Sequence, residues 1–203
     1  MNLNKPTRIF IHTVDADYNI IVSQFFSVDE WHKDRFGEYC KSSLGYYGGY
    51  TTLIEKNGDE FRYREDNEET CAATGYNTNA LHVALAGDGD IQLPTEKQAA
   101  KLKLRLEKWT EKYSIPVSAV NIAPHRMVAP HKSCFGSLLN DEWAYNLLKP
   151  KEKPSSQLDK KEFIESQKTQ ILWLTVKLLR LKIKILLGKI GGSVFNPRPL
   201  KDK

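Results

Sequence analysis

The sequence predicts an α/β domain, a mixed central β-sheet flanked by helices, followed by a basic C-terminal amphipathic helix. Three observations predict it. Short apolar, β-branched runs alternate with longer amphipathic stretches. A single hairpin signal sits between two of those runs. A proline-bounded segment near residue 150 separates two regions of opposite charge.

The elements follow in order. TRIFIHT (7–13) is a short apolar run with β-branched and aromatic residues, which predicts a buried strand ending at His12. A polar loop with Asp15 and Asp17 follows. Ser27 and Glu30 have capping-box spacing, so a helix is expected to start at Ser27 and run through SVDEWHKDRFG. LGYYGGY (44–50) predicts a loop leading into a strand. YTTLIE (50–55) and EFRYR (60–64) predict a hairpin, with Asn57-Gly58 supplying positive φ angles at its turn. Residues 65–79 are polar and irregular. ALHVALAG (80–87) predicts a second buried strand. Thr95 and Gln98 form another capping box, and the helix after them shows one apolar face through Leu102, Leu106, Trp109 and Tyr113. VSAVNI (117–122) predicts a short strand, residues 123–136 a loop, and LLNDEWAYNLL (138–148) a closing helix.

The 203 residues suffice for one ordinary domain and an extension, and 40% hydrophobic residues suffice for a core. Disordered, collagen-like and coiled-coil-only chains are thereby excluded. Residues 1–150 carry 17 Lys and Arg against 20 Asp and Glu, a net charge of −3. Residues 151–203 carry 13 against 5, a net charge of +8. The acidic first part argues against a nucleic-acid partner. The expected division is a catalytic domain over 1–149, a linker over 150–156 and a basic helical tail over 157–203. Cys40, Cys71 and Cys134 are too few to suggest a disulfide framework, and Cys40 and Cys71 read as bystanders. Pro6 and Arg8 interrupt the N-terminal apolar run, so no signal peptide is expected and the chain is expected in the cytoplasm.

His12, at a strand end, and His125 and Cys134, in the loop after the last strand, are candidate metal ligands. Imidazole and thiolate suit zinc, and three protein ligands leave a fourth position open, as in catalytic sites. Each residue alone also fits a satisfied polar side chain or a small buried hydrophobe. His32 reads as a surface or packing residue, and His82 as a satisfied core histidine.

The residues around these three resemble the type-2 N-acetylmuramoyl-L-alanine amidases, the family of phage lysozyme-amidases and peptidoglycan recognition proteins. The likeness lies in Phe10-Ile11-His12-Thr13, the run from Gly75 to Val83, His125-Arg126-Met127-Val128-Ala129-Pro130, Lys132-Ser133-Cys134 and WHKDRFG, within residues 7–148. Met127 stands where the family usually has an acid, and Phe135 where it has Pro. His131 lengthens the loop by one residue and is a rival ligand.

The resemblance implies an α/β fold of the type-2 amidase kind and a Zn2+ ion held by His12, His125 and Cys134. It implies hydrolysis of the lactyl-L-alanine amide of peptidoglycan. Tyr50 would orient the water, with Tyr46 and Tyr47 as rivals, and Lys132 would stabilise the oxyanion, its other reading being a solvated loop cation. Asn77 and Asn79 would contact the peptide stem or stabilise a turn, and Asp15 and Asp17 would line the same rim. The role implied is a phage endolysin, held in the host cytoplasm until release and acting in host lysis as an antimicrobial hydrolase. The competing readings are a non-catalytic peptidoglycan-recognition module and a membrane-active protein that the domain targets to the wall.

The tail segment 171–187 holds 12 large apolar residues and four cations. Four cations cost about 10–14 kcal/mol at a membrane centre, against about 6 returned by the apolar residues, so a spanning helix is disfavoured. Leu172, Val176, Leu179, Ile183, Leu186 and Ile190 form a seam, while Lys177, Arg180 and Lys184 share a cationic face. An amphipathic helix on anionic membrane or lipopolysaccharide is expected, or one that packs on the domain or a second copy.

Overall fold

A computed structural model of the chain describes residues 3–19 and 23–149, together with residues 168, 172, 175, 176, 179, 182 and 183. The chain divides into two units, Met1–Lys149 and Pro150–Lys203.

In the first unit, β1 (Arg8–Thr13), β2 (Thr52–Ile54), β3 (Glu60–Arg62), β4 (Ala80–Leu85) and β5 (Ile122–Pro124) form one sheet in the order β3-β2-β4-β1-β5. β3 pairs antiparallel with β2, and the other three pairings are parallel. The mixed sheet and its flanking helices are those the sequence predicts. β1 from Ile9 onward and all of β4 are buried because both faces of these strands are covered.

The two faces differ. Ile9, Ile11, Leu81, Val83, Leu85 and Ile122 pack with Leu102, Leu106 and Trp109 of α2 (Glu96–Tyr113). The opposite face carries Phe10 and His12 of β1 with Ala80, His82 and Ala84 of β4. The alanines leave room there for the rings of Phe10 and His82, which stack with centroids 5.6 Å apart. At the β2 side, α1 (Gln24–Phe36) covers this face through Phe25 and Val28, which pack with Leu53 and Tyr63.

The Thr95–Gln98 capping box of α2 is present in both directions. Where the structure departs from expectation, side chains have captured backbone groups. The first helix starts at Gln24, not at a Ser27–Glu30 box, and its cap residue Ser23 makes no side-chain cap bond. The Glu55 carboxylate, from the end of β2, instead accepts the Phe25 N–H at 2.8 Å and the Ser23 hydroxyl at 3.2 Å. Residues 117–121 form a turn and β5 starts only at Ile122, because the Ser118 carbonyl takes the N–H groups of Asn121 and Ile122. The closing helix shrinks to α3 (Trp143–Asn146), since the Arg126 guanidinium takes the Leu139 carbonyl at 2.7 Å. In the hairpin, Gly58 alone of the Asn57-Gly58 pair has positive φ. Cys40 and Cys71 are joined in a disulfide with Cα atoms 6.1 Å apart, so they are not bystanders.

The expected linker (150–156) and most of the tail (157–203) lie outside the described residues. The seven described tail residues are helical, and Leu172, Val176, Leu179 and Ile183 among them are exposed. Among the described residues no helix is long and apolar enough to cross a membrane.

Asp66 ties the C-terminal end of α2 to the sheet edge. It accepts from Arg62 at 2.7 Å, Lys112 at 3.0 Å and the Tyr113 hydroxyl at 2.9 Å. Burial acts to raise its pKa, but the hydrogen bonds from Lys112 and Tyr113 and the charge of Arg62 outweigh it and hold the carboxyl below its ordinary range. A depressed folded-state pKa gives stability that is complete above the unfolded value near about 3.9 and is lost as pH falls through the folded one. Asp66→Asn is therefore expected to cost about 1–3 kcal/mol at pH 7, and the gap from wild type should narrow below about pH 4. Urea unfolding at both pH values checks this.

Candidate metal centre

Strand register brings the distant ligand candidates together. Phe10 pairs with Ala123 and Ile11 with Pro124, so the next residues along, His12 and His125, become neighbours. Their ring centroids lie 4.5 Å apart. His125 opens a 3₁₀ turn, His125–Met127, and its carbonyl accepts the N–H groups of Val128 and Ala129. The chain then returns to the same point, where the Arg126 N–H donates to the Cys134 carbonyl at 2.7 Å. The Arg126 side chain bonds the Ser133 carbonyl at 3.2 Å and the Asp141 carboxylate at 2.6 Å. Phe135, fully buried in the core, anchors the loop directly after Cys134.

The ligand atoms of His12, His125 and Cys134 all lie within 4.8 Å of one another. Cys134 Sγ is 3.7 Å from His12 Nδ1. Nitrogen and sulfur ligands of one tetrahedral zinc, at about 2.05 and 2.3 Å from the ion, stand about 3.6 Å apart, so the donor set fits that ion. His131 lines the same cavity but is exposed and stands outside this trio.

Electrostatics keep the site free of its own charge. Burial, then the charges of His125, His82 and Lys132, hold His12 well below the usual histidine value. Burial and then Lys132 and His131 lower His125 to about 4. Burial pushes the Cys134 thiol up to about 11. At neutral pH both imidazoles are uncharged and can donate lone pairs, whereas the thiol needs a nearby cation to ionise.

The trio borders a cavity of about 840 Å³. Its walls include Tyr50, Lys132, Asn77 and Asp15, and, from α1, Trp31, His32 and Arg35.

The sequence profile described as N-acetylmuramoyl-L-alanine amidase matches residues 2–137. The chain belongs to this family. Its activity is that of an N-acetylmuramoyl-L-alanine amidase, an enzyme that acts on peptidoglycan. Among solved structures, the amidase LysC from Clostridium intestinale URNW is similar at 24% identity and a TM-score of 0.60, over 74% of this chain and 92% of that one. The endolysin amidase LysCS from the same organism is similar at 25% identity and a TM-score of 0.54, over 68% and 81%. The Ph2119 endolysin of Thermus scotoductus MAT2119 bacteriophage Ph2119 shares the fold at 15% identity and a TM-score of 0.56, over 72% and 87%. No curated protein sequence matches the chain.

In this amidase the Tyr50 ring lies 4.9 Å from the His12 ring and 5.5 Å from that of His32. Burial raises the Tyr50 pKa, so its hydroxyl stays protonated. Tyr46 packs on Phe25, and Tyr47 donates its hydroxyl to Glu38 at 2.7 Å, away from the cavity lining. Lys132 is exposed at the cavity wall, where its charge acts on His12, His32, His125 and Cys134.

Asn77 reaches the wall, but its Oδ1 accepts from the N–H groups of Ala72 and Ala73 and from the Thr70 hydroxyl, which makes it a loop brace. Asn79 is not among the lining residues. Asp15 lines the cavity, while Asp17 instead accepts from the Asn19 N–H and from Gln92.

Two histidines read as packing residues stand at the site. His32 lines the cavity, and its Nδ1 accepts the Gly49 N–H at 2.7 Å. His82 lies beneath His12, with its Nδ1 3.0 Å from His12 Nε2. The WHKDRFG segment was the available signal for His32. None marked His82, because the register of β1 against β4 decides whether the two rings meet.

Proposed function

We propose that this amidase is a zinc-dependent hydrolase of the lactyl-L-alanine amide in peptidoglycan, of the endolysin kind, used by a phage for host lysis. The observation that carries this reading is the His12–His125–Cys134 donor set at the edge of a cavity that also presents Tyr50 and Lys132. A complete donor set favours catalysis over a module that only binds the wall. Residence in the host cytoplasm before release belongs to the same proposal.

Bound zinc supplies Lewis acidity, which brings the pKa of water toward about 7 and polarises a carbonyl. The chain's own residues do the rest. His12 and His125, uncharged at neutral pH, and Cys134 as a thiolate, its proton released to solvent, would hold the cation. The Tyr50 hydroxyl, protonated across the working pH range, orients the attacking water by hydrogen bonding. The Lys132 ammonium stabilises negative charge as it develops on the amide oxygen. Walls built by α1 hold the glycan-linked peptide against this edge.

We also assign a separate role to the tail, adhesion to anionic lipid or lipopolysaccharide. Its +8 charge and the exposed Leu172, Val176, Leu179 and Ile183 support this.

Four outcomes are expected. The purified chain should carry about one zinc, and His12→Ala and Cys134→Ala should each lose both the metal and wall lysis. Digested walls should yield new N-terminal L-alanine; new reducing sugar ends alone would overturn the reaction assigned. Lys132→Ala and Tyr50→Phe should keep zinc but each lose on the order of 100-fold in rate, as for removal of a transition-state donor. Replacing Lys177, Arg180 and Lys184 together by Glu should abolish binding to anionic vesicles and leave hydrolysis of soluble peptidoglycan fragments unchanged. Vesicle binding that persists in this variant and resists salt would argue against a charged tail contact.

A further inference from the structure

His82 is fully buried on β4, and its two ring nitrogens have different neighbours. Nε2 lies 3.4 Å from the Tyr76 carbonyl oxygen, and Nδ1 lies 3.0 Å from His12 Nε2. A carbonyl oxygen can only accept, so the proton of the neutral His82 ring sits on Nε2. Nδ1 is then a bare acceptor. The hydrogen between the two histidines must come from His12, which fixes the His12 proton on Nε2. His12 Nδ1, the atom 3.7 Å from Cys134 Sγ, is left with its lone pair facing the other two donors.

We propose that His82 is a positioning residue for the metal centre, locking His12 in the one tautomer and ring orientation that can ligate through Nδ1. The inference rests on the zinc reading above. The relay runs from the Tyr76 carbonyl through His82 to His12, each ring donating to the next group outward from the site. Its geometry is held from several sides. Phe10 stacks on the His82 ring at an interplanar angle of 27°, and the His82 N–H of the backbone donates to the Thr51 hydroxyl at 3.1 Å. Without an acceptor at this place, the His12 ring gains a second tautomer that carries a proton where the metal must bind, and it can also turn. Partners of this kind behind a ligating histidine typically change metal affinity by about 10–100-fold.

The test uses the full chain and reads zinc affinity by chelator competition, with thermal melting of the metal-free protein alongside. Asn carries a side-chain oxygen close to the place of histidine Nδ1, so His82→Asn keeps an acceptor for His12. His82→Gln moves that oxygen toward the Nε2 place, and His82→Leu removes it. His82→Leu and His82→Gln are expected to bind zinc about 10–100-fold more weakly than wild type. His82→Asn should stay within about threefold of wild type. A core-packing role alone would shift the melting temperature and leave zinc affinity untouched in all three variants, which would overturn the proposal. So would equal loss in His82→Asn and His82→Gln. If His82→Leu does not fold, the Asn and Gln pair still decides the matter. A wild-type chain that binds no zinc, or binds it equally well as His12→Ala, would instead overturn the metal centre itself and this inference with it.

Discussion

The parallel pairing of β1 between β4 and β5 is the constraint on which the rest of this amidase depends. It sets Ile9 against Leu81 and Ile122, and so commits one face of three strands to the α2 side of the core. The same pairing commits the other face to Phe10, His12 and His82. A shift of one residue in β1 would turn His12 into the apolar layer under α2 and put Ile11 in its place beside the cavity. Core and centre are therefore two faces of one register, and the core's demand for apolar side chains holds His12 and His82 where they are. This is why histidines 113 positions apart in the chain meet, one at the end of β1 and the other in the first residue after β5.

Around that register, buried polar side chains do the work that regular secondary structure leaves undone. Arg64 is fully buried and donates to the carbonyls of Tyr50 at 3.2 Å, Cys40 at 3.0 Å and Gly48, and also to that of Glu69. Tyr50 lines the cavity, and so does Tyr39 next to Cys40. Burial lowers the guanidinium to about 10, which still leaves it charged at neutral pH. Its planar fork reaches several carbonyls at once, as the single ammonium of a lysine could not. The Cys40–Cys71 disulfide joins two of the segments that carry those carbonyls, so the lining there is braced both covalently and by charge. Glu55 and Gln24 act similarly at the α1 end, where Gln24 accepts the Gly87 N–H and donates to the Ala16 carbonyl.

What could be read from the sequence follows from how local each determinant is. β1, β4 and the hairpin carry their own apolar pattern, and the α2 capping box closes within four residues, so all were legible. The start of α1 was not, because its cap comes from Glu55, about thirty residues away. Residues 117–121 carry a strand-like composition, but Ser118 binds its neighbours' backbone and wins locally. The disulfide joins positions 31 apart, a separation that signals nothing by itself. The meeting of His12, His125 and Cys134 was legible through the motifs around them, since each sits in a recognisable local setting. Asn77 was legible as a residue that matters, yet only the structure shows its oxygen turned back to the N–H groups of Ala72 and Ala73.

The centre also shows why metal-ligating residue types can be buried beside the core without harm to the fold. Burying two imidazoles is tolerable when both are neutral, and burying a cysteine is cheap when it is a thiol. Burial itself enforces these states, by pulling His12 and His125 down and pushing Cys134 up. The donor set is thus compatible with the core before any cation arrives, and the thiol ionises only when a positive charge compensates it. The exposed Lys132 lies close enough to favour the thiolate, though burial outweighs it. A site built this way discriminates by charge and by softness together. It offers two neutral nitrogens and one sulfur that can ionise, soft and borderline donors that would suit the proposed zinc better than magnesium or calcium.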